Sequence, residues 1–183
     1  MKLSSLLALL FCFSSALAEV PVAKKCPDGW EWFQRSRGGW CMKAFVETNP
    51  VNQAEAEAKC QAQKAVLAGV QNKEEIKWMT SSLASMQTAA QFRYWIGAKR
   101  TKICEKTGIT KTCTGVTSFY WTDKSAVGTQ GFLWVAGEPN NYGGDQPCAG
   151  MVSNVGSSAG LLDDLACDDQ LPGYICGKIA TFE

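Results

Sequence analysis

Apolar and polar positions follow two different periods along this chain. CPDGWEWFQRSRGGWCMKAFVE (26–47) alternates aromatics with turn residues and predicts a hairpin. NPVNQAEAEAKCQAQKA (49–65) changes to a helical pattern, with Asn49 suited to cap, Pro50 to the first turn, and alanines and glutamates to propagate it. A second helix is predicted from NKEE (72–75), where Asn72 and Glu75 form a variant capping box. Ile76, Met79 and Leu83 follow at i, i+3 and i+7 and give it a core face. From Phe92 onward the apolar runs shorten. FRYWIGA (92–98), SFYW (118–121), CAGMV (148–152) and GYICG (173–177) are aromatic or β-branched, bounded by turn signals, and read as strands. Irregular stretches at 99–117 and 122–147 separate them, and loops of that length usually carry a function or a staple. Two early helices, several short strands and long crosslinked loops indicate one α+β domain without repeats or linkers.

The first eighteen residues stand apart. Lys2 precedes an apolar run from Leu6 to Phe13, and Ala16-Leu17-Ala18 offers a small-x-small cleavage site. This reads as a secretory signal peptide over 1–18, because the apolar run is too short for a membrane anchor. No later stretch approaches the ~18–20 apolar residues of a spanning helix. The expected product is a secreted domain over 19–183, with its core at about 26–177, and with no membrane insertion.

Composition then removes several function classes. Without Lys2, basic and acidic residues balance at 17 each, which leaves no electrostatic footprint for nucleic acid or anionic membrane. The absence of histidine removes the usual general base and the commonest zinc ligand, so any enzyme chemistry would rest on carboxylates. Cys12 leaves with the signal. Cys26, Cys41, Cys60, Cys104, Cys113, Cys148, Cys167 and Cys176 remain, an even number that implies four disulfides in an oxidising compartment. Spacing alone does not choose their pairing.

The chemistry concentrates in two segments. GEPNNYGGDQPC (137–148) carries side-chain oxygen at Glu138, Asn140, Asn141, Asp145 and Gln146, and LLDDLACDDQ (161–170) adds Asp163 and Asp164. A lone Glu-Pro-Asn is usually a turn and a lone Asp-Asp a solvated corner. Pairing Cys148 with Cys167 would bring Glu138, Asn140 and Asp145 close to Asp163 and Asp164. Oxygens converging without nitrogen or sulfur describe a hard-cation site. Calcium, which tolerates irregular shells of about 6–8 oxygens, suits it better than magnesium.

These residues resemble the C-type lectin domain family over nearly the whole mature chain, from about Cys26 to Cys176. The family's WIG signature stands as Trp95-Ile96-Gly97, a strand-end WTD as Trp121-Thr122-Asp123, and the sugar-selecting motif as Glu138-Pro139-Asn140, preceded by Trp134 and Gly137. Its Trp-Asn-Asp-x-x-Cys appears altered as Leu162-Asp163-Asp164-Leu165-Ala166-Cys167, and the closing aromatic-x-Cys as Tyr174-Ile175-Cys176.

The resemblance implies a C-type lectin-like fold with disulfides Cys60–Cys176 and Cys148–Cys167. It also implies the amino-terminal bridge Cys26–Cys41 of long-form members, and leaves Cys104–Cys113 to staple the insertion at 99–117. It further implies a cis peptide before Pro139 and one calcium ion held by Glu138, Asn140, Asp145, Asp163 and Asp164. The carbohydrate would be bound by Glu138, Asn140, Asp145 and Asp163. Gln146 is the alternative to Asp145 when spacing is counted back from Cys148. Asp163 stands where the family has asparagine, keeping a calcium ligand and losing an amide donor; Leu162 replaces a tryptophan. Lys99 and Arg100 stand where acids would hold an auxiliary ion, so one calcium is expected.

The implied function is a secreted, calcium-dependent carbohydrate-binding protein for mannose-type glycans. Microbial surfaces are the implied source of those glycans and innate defence the implied setting. The alternative keeps the fold but binds a protein or other non-sugar ligand, with calcium structural or absent. Neither reading is an enzyme: Asp163 and Asp164 are adjacent and do not flank a bond from two sides as glycosidase pairs do. Coiled-coil heptads and collagen repeats are absent, so the sequence leaves the oligomeric state unassigned and any multivalency to the domain surface.

Overall fold

Trp32, Phe33 and Gln34 alternate with their cross-strand neighbours to make the predicted hairpin. Strand β2 (Glu31–Arg35) pairs antiparallel with β3 (Gly38–Val51), closing at Arg35↔Gly38. The computed structural model describes residues 24–86, 92–153 and 157–182; the predicted signal peptide lies outside them. Ahead of the hairpin, β1 (Lys24–Lys25) pairs with β10 (Thr181–Phe182).

Helix α1 (Gln53–Ala62) starts later than the sequence pattern predicts, because Asn49 and Pro50 belong to β3. The start is fixed by Asn52, whose side chain accepts from the Glu55 N–H at 2.9 Å while Glu55 accepts from the Asn52 N–H at 2.8 Å. That reciprocal box satisfies two helix-end donors, and Val51 pairs with Leu171 just before it. Helix α2 (Lys73–Met86) does begin where predicted, capped by Asn72, which accepts from the Glu75 N–H at 3.0 Å. Its box is only half formed. The Glu75 carboxylate turns inward to Arg35, at 2.8 Å from both Nε and Nη2. Met79 and Leu83 are fully buried on its core face, and Ile76 is partly buried.

The main sheet runs β2-β3-β9-β5-β7-β8, with β4 (Val66–Leu67) on β9 and β6 (Phe119–Trp121) on β5. The remaining strands are β5 (Arg93–Arg100), β7 (Cys148–Val152), β8 (Leu162–Leu165) and β9 (Leu171–Ile179). The strands predicted at 92–98, 118–121, 148–152 and 173–177 are all present. In this sheet the short strands β4 and β8 are additional to the sequence pattern, as is the separate β1–β10 pair. Among the described residues, the strand pairings are antiparallel except β5 with β9, which run parallel at Trp95↔Tyr174. Trp95 is fully buried and donates Nε1 to the Val51 carbonyl at 2.8 Å. Gly97 permits a close approach here, since a Cβ at that position would lie 2.1 Å from the Leu67 oxygen.

Behind the hairpin, the buried Arg35 guanidinium joins Glu75 to Asp123, the last residue of the Trp-Thr-Asp motif, through Nη1 at 2.7 Å. Asp123 also accepts from the N–H groups of Gly69, Ser125 and Ala126, so this aspartate locks the start of the long loop region. Trp121 stacks on Phe132 at 3.9 Å, and Trp134 donates Nε1 to the Gly115 carbonyl at 2.5 Å. The disulfides are Cys26–Cys41, Cys60–Cys176, Cys104–Cys113 and Cys148–Cys167, the pairing the resemblance implies. The fold is an α+β, disulfide-stapled lectin-like architecture. Among the described residues, no helix is long and apolar enough to cross a membrane.

Candidate functional site

The register of β7 on β8 sets the site. Ala149 faces Asp164 and Gly150 faces Asp163, while Cys148–Cys167 ties β7 to the segment just past β8. The loop at 137–147 enters β7 directly, so its side chains come to rest against the two aspartates. Glu138-Pro139 is cis, as expected. Glu138, Asp163 and Asp164 each bring a carboxylate oxygen within 4.8 Å of the others, the one such grouping among the described residues.

Asp164, fully buried, organises the loop. Its Oδ1 accepts from the Asn140 N–H at 3.1 Å and its Oδ2 from the Asn141 N–H at 2.8 Å. Asn140 N–H is shared with Glu138 Oε2 at 2.9 Å, and Asn140 Oδ1 accepts from the Tyr142 N–H at 2.7 Å. Asn141 takes the left-handed conformation at φ 53°, and Gly143 and Gly144 follow with positive φ at 70° and 76°, which glycine adopts without strain. The Tyr142 N–H also reaches Gln146 Oε1 at 2.6 Å, and the Gln146 N–H reaches Asn141 Oδ1 at 2.9 Å.

Asp145 is exposed and lies outside the three-carboxylate group, and the side-chain oxygen of Gln146, its alternative, is held within the loop. The structure therefore brings together the carboxylates of Glu138, Asp163 and Asp164, places the Asn140 backbone against them with its side-chain oxygen held by the Tyr142 N–H, and leaves Asp145 apart.

Two arginines complete the site, and neither was a candidate from the sequence. Arg93 donates Nε to Asp163 Oδ2 at 2.5 Å, and Arg100 donates Nη2 to Asp164 Oδ2. Arg93 reaches Asp163 across β7 at Gly150, where an added Cβ would come within 3.2 Å of the Arg93 Cβ. The signal for Arg93 lay in strand register: a cation two strands from an aspartate, with a glycine between them, is visible only once β8 is recognised as a strand. Arg100 stands in the sequence where an acid would hold a second ion, a position that does not reveal Asp164 as its partner.

Burial pushes the Glu138 carboxyl above its usual range. The Asn140 N–H opposes that shift, and the Asp163 and Asp164 charges push it further. Asp163 is likewise raised by burial, with Arg93 pulling it back. Burial lowers the Arg100 guanidinium, and Asp164 counters it. Three carboxylates against two guanidiniums leave one unit of negative charge uncompensated. The donor set of carboxylate and amide oxygens, with no nitrogen or sulfur ligand, fits a hard divalent cation.

A family model for C-type lectin domain-containing protein 141/158 matches residues 33–176. Dog (Canis lupus familiaris) E-selectin is 31% identical over 137 residues, covering 72% of this chain and 18% of its own. C-type lectin lectoxin-Lio1 of Erythrolamprus poecilogyrus is 26% identical over 149 residues, covering 81% of this chain and 79% of its own. The chain thus spans about a fifth to a third of the length of the selectins it matches, 18% of dog E-selectin and 34% of Bos taurus L-selectin. Among solved structures, the cow C-type carbohydrate-recognition domain of CD23, determined in the presence of GlcNAc2Man3 oligosaccharide, superposes with a TM-score of 0.61 at 23% identity. The match covers 87% of this chain and 99% of that one.

Proposed function

Because this chain belongs to the C-type lectin domain family, we propose that it is a secreted, calcium-dependent carbohydrate-binding protein whose binding face is the loop at 137–147. The observation that carries this reading is the convergence of Glu138, Asp163 and Asp164 beside the cis Glu138-Pro139 bond. Glu138, Asn140, Asp163 and Asp164 would hold one calcium ion. When bound, that ion would accept neighbouring sugar hydroxyls into its shell. Around it the chain supplies the directional contacts. Carboxylate oxygens of Glu138 and Asp163 accept from sugar O–H groups, and the Asn140 amide donates to a sugar oxygen. The order Glu138 then Asn140 is the mannose-type order. Secretion is supported by the signal-like amino terminus and by four disulfides, which persist in oxidising compartments.

The arginines tune this site. Arg93 and Arg100 already hold one oxygen each of Asp163 and Asp164, so an ion would meet reduced net negative charge. Affinity at the weak, extracellular end of calcium modules, about 10⁻⁴–10⁻³ M, is the expectation. The same ion pairs favour a second reading, in which the face recognises a protein and calcium plays no part.

Retention on immobilised mannan, with calcium and with EDTA, separates the two. EDTA-sensitive retention, lost in Glu138→Gln, supports the lectin reading. Failure to bind in calcium, or retention that ignores EDTA, favours the second.

A further inference from the structure

Arg100 makes more contacts across the loop region than an ion partner of Asp164 needs to make. Its side chain is fully buried and is surrounded by oxygens from three separate segments. Nε donates to the Gln146 carbonyl and Nη1 to the Thr107 carbonyl, each at 3.1 Å, and Nη2 donates to the Asp164 carboxylate. The guanidinium plane lies 4.7 Å over Phe119, its cross-strand partner on β6. Its own N–H donates to the Pro147 carbonyl at 2.9 Å. One residue on β5 therefore clamps the stapled insertion (Thr107), the far end of the binding loop (Gln146, Pro147) and β8 (Asp164).

The insertion is part of the same assembly. The Asn141 amide donates Nδ2 to the Glu105 carbonyl at 3.3 Å, and a Cβ on Gly108 would lie 2.4 Å from the Asn140 oxygen. Cys104–Cys113 closes that insertion into a small loop, so Thr107 is presented by a braced segment.

We propose that Arg100 acts as a built-in cation, a positioning residue that holds the 137–147 loop in its binding-ready shape without metal. Two carbonyls and a carboxylate around a buried positive charge are the oxygen set a hard cation would gather. A planar guanidinium can meet all three at once because its donors form a fixed fork, which an ammonium does not. Asp164 is the element through which it acts. With Oδ2 fixed by Arg100, the carboxylate stays oriented to accept the Asn140 and Asn141 N–H groups. Calcium then completes the sugar-facing edge and is not needed to order the loop. This inference rests on the reading of the loop as the binding face.

Hydrogen exchange of the Asn140 and Asn141 amides tests it, because both donate to Asp164. In the wild-type protein they should be protected in EDTA, and saturating calcium should add little. In Arg100→Met, protection in EDTA should fall by about tenfold or more, the size expected when a charge-assisted bond is lost. Calcium should restore it, since an ion held by Asp164 replaces the positive charge that the guanidinium supplied. The β9 amides should be unchanged in both states. Arg100→Lys keeps the charge but cannot reach all three oxygens, and should show an intermediate, calcium-responsive loss. If the wild-type loop amides need calcium for protection, or Arg100→Met leaves them unchanged, the proposal is overturned. Equal loss with and without calcium, or loss extending to β9, also overturns it by making Arg100 a core strut. No glycan enters the measurement, so a wild-type protein that ignores every sugar would defeat the lectin reading and leave this result standing.

Discussion

Replacing Asp163 by asparagine separates calcium binding from sugar binding, because the two respond with opposite sign. Asp163 is nearly buried and accepts from Arg93, whose side chain is 43% exposed. Losing that partner lets Arg93 turn to water, so the fold should lose about 1 kcal/mol or less. At the ion the change is larger. Two unit charges 4 Å apart are worth about 1 kcal/mol under water-like screening, hence about 2 kcal/mol for a carboxylate facing a divalent cation. Release of Arg93 from the site offsets up to about 1 kcal/mol of that. The net expectation is calcium binding weakened by about five- to thirtyfold. The new amide can donate to a sugar oxygen, which is worth about 1 kcal/mol, or about fivefold tighter glycan binding once calcium is saturating. Arg93→Met should act oppositely on the ion: it frees the same carboxylate without altering it, so calcium affinity should rise. Calorimetric calcium titration of the three proteins, followed by mannan binding at saturating calcium, measures both effects. Calcium binding by Asp163→Asn as tight as that of wild type, or an unchanged affinity in Arg93→Met, would show that Asp163 is not a ligand.

Other consequences can be measured independently. Glu138→Gln combined with Asn140→Asp reverses the order of acid and amide across Pro139 and should move preference from mannose to galactose in a competition assay; unchanged preference would show that the loop does not select the sugar. Arg35→Met leaves the buried Glu75 and Asp123 carboxylates without their guanidinium and should destabilise the domain by about 3–5 kcal/mol in urea denaturation, whereas a loss below about 1 kcal/mol would contradict a tightly coupled triad. Tyr174 donates to Glu47 at 2.8 Å, and burial, that bond and the Glu47 charge all hold its phenol above the usual range. Its neutral form is thus favoured in the folded state, so its contribution is complete below about pH 10 and is lost as pH rises further. Tyr174→Phe should flatten that alkaline decline, and an identical slope in both proteins would rule the contribution out.

Strands with strong aromatic or β-branched runs were legible from the sequence, because a pattern such as Phe92–Ala98 or Cys148–Val152 carries its own period and turn boundaries. Strand β8 was not, since Leu162-Asp163-Asp164-Leu165 places two charges in its centre. The pairing with β7, the two arginines and, for Asp164, the Asn140 and Asn141 N–H groups make that arrangement tolerable. The start of α1 was misplaced for a local reason: Asn49-Pro50 and Asn52-x-x-Glu55 compete as signals, and the reciprocal box formed by the second prevails. At the site, the convergence of Glu138, Asp163 and Asp164 could be anticipated from the two segments and their cysteines. The position of Asp145 could not, because Gly143 and Gly144 set the backbone path that turns it outward. Ion pairs such as Arg93–Asp163 and Arg100–Asp164 span 70 and 64 residues and depend on sheet order, which local pattern does not encode.

The claim that this loop binds sugar through calcium is tested most directly by a glycan array probed with the purified protein in calcium and again in chelator. Binding to mannose-type glycans in calcium, its loss in chelator, and its return when calcium is restored are expected. Binding to no glycan in calcium, or the same binding in both conditions, would contradict it.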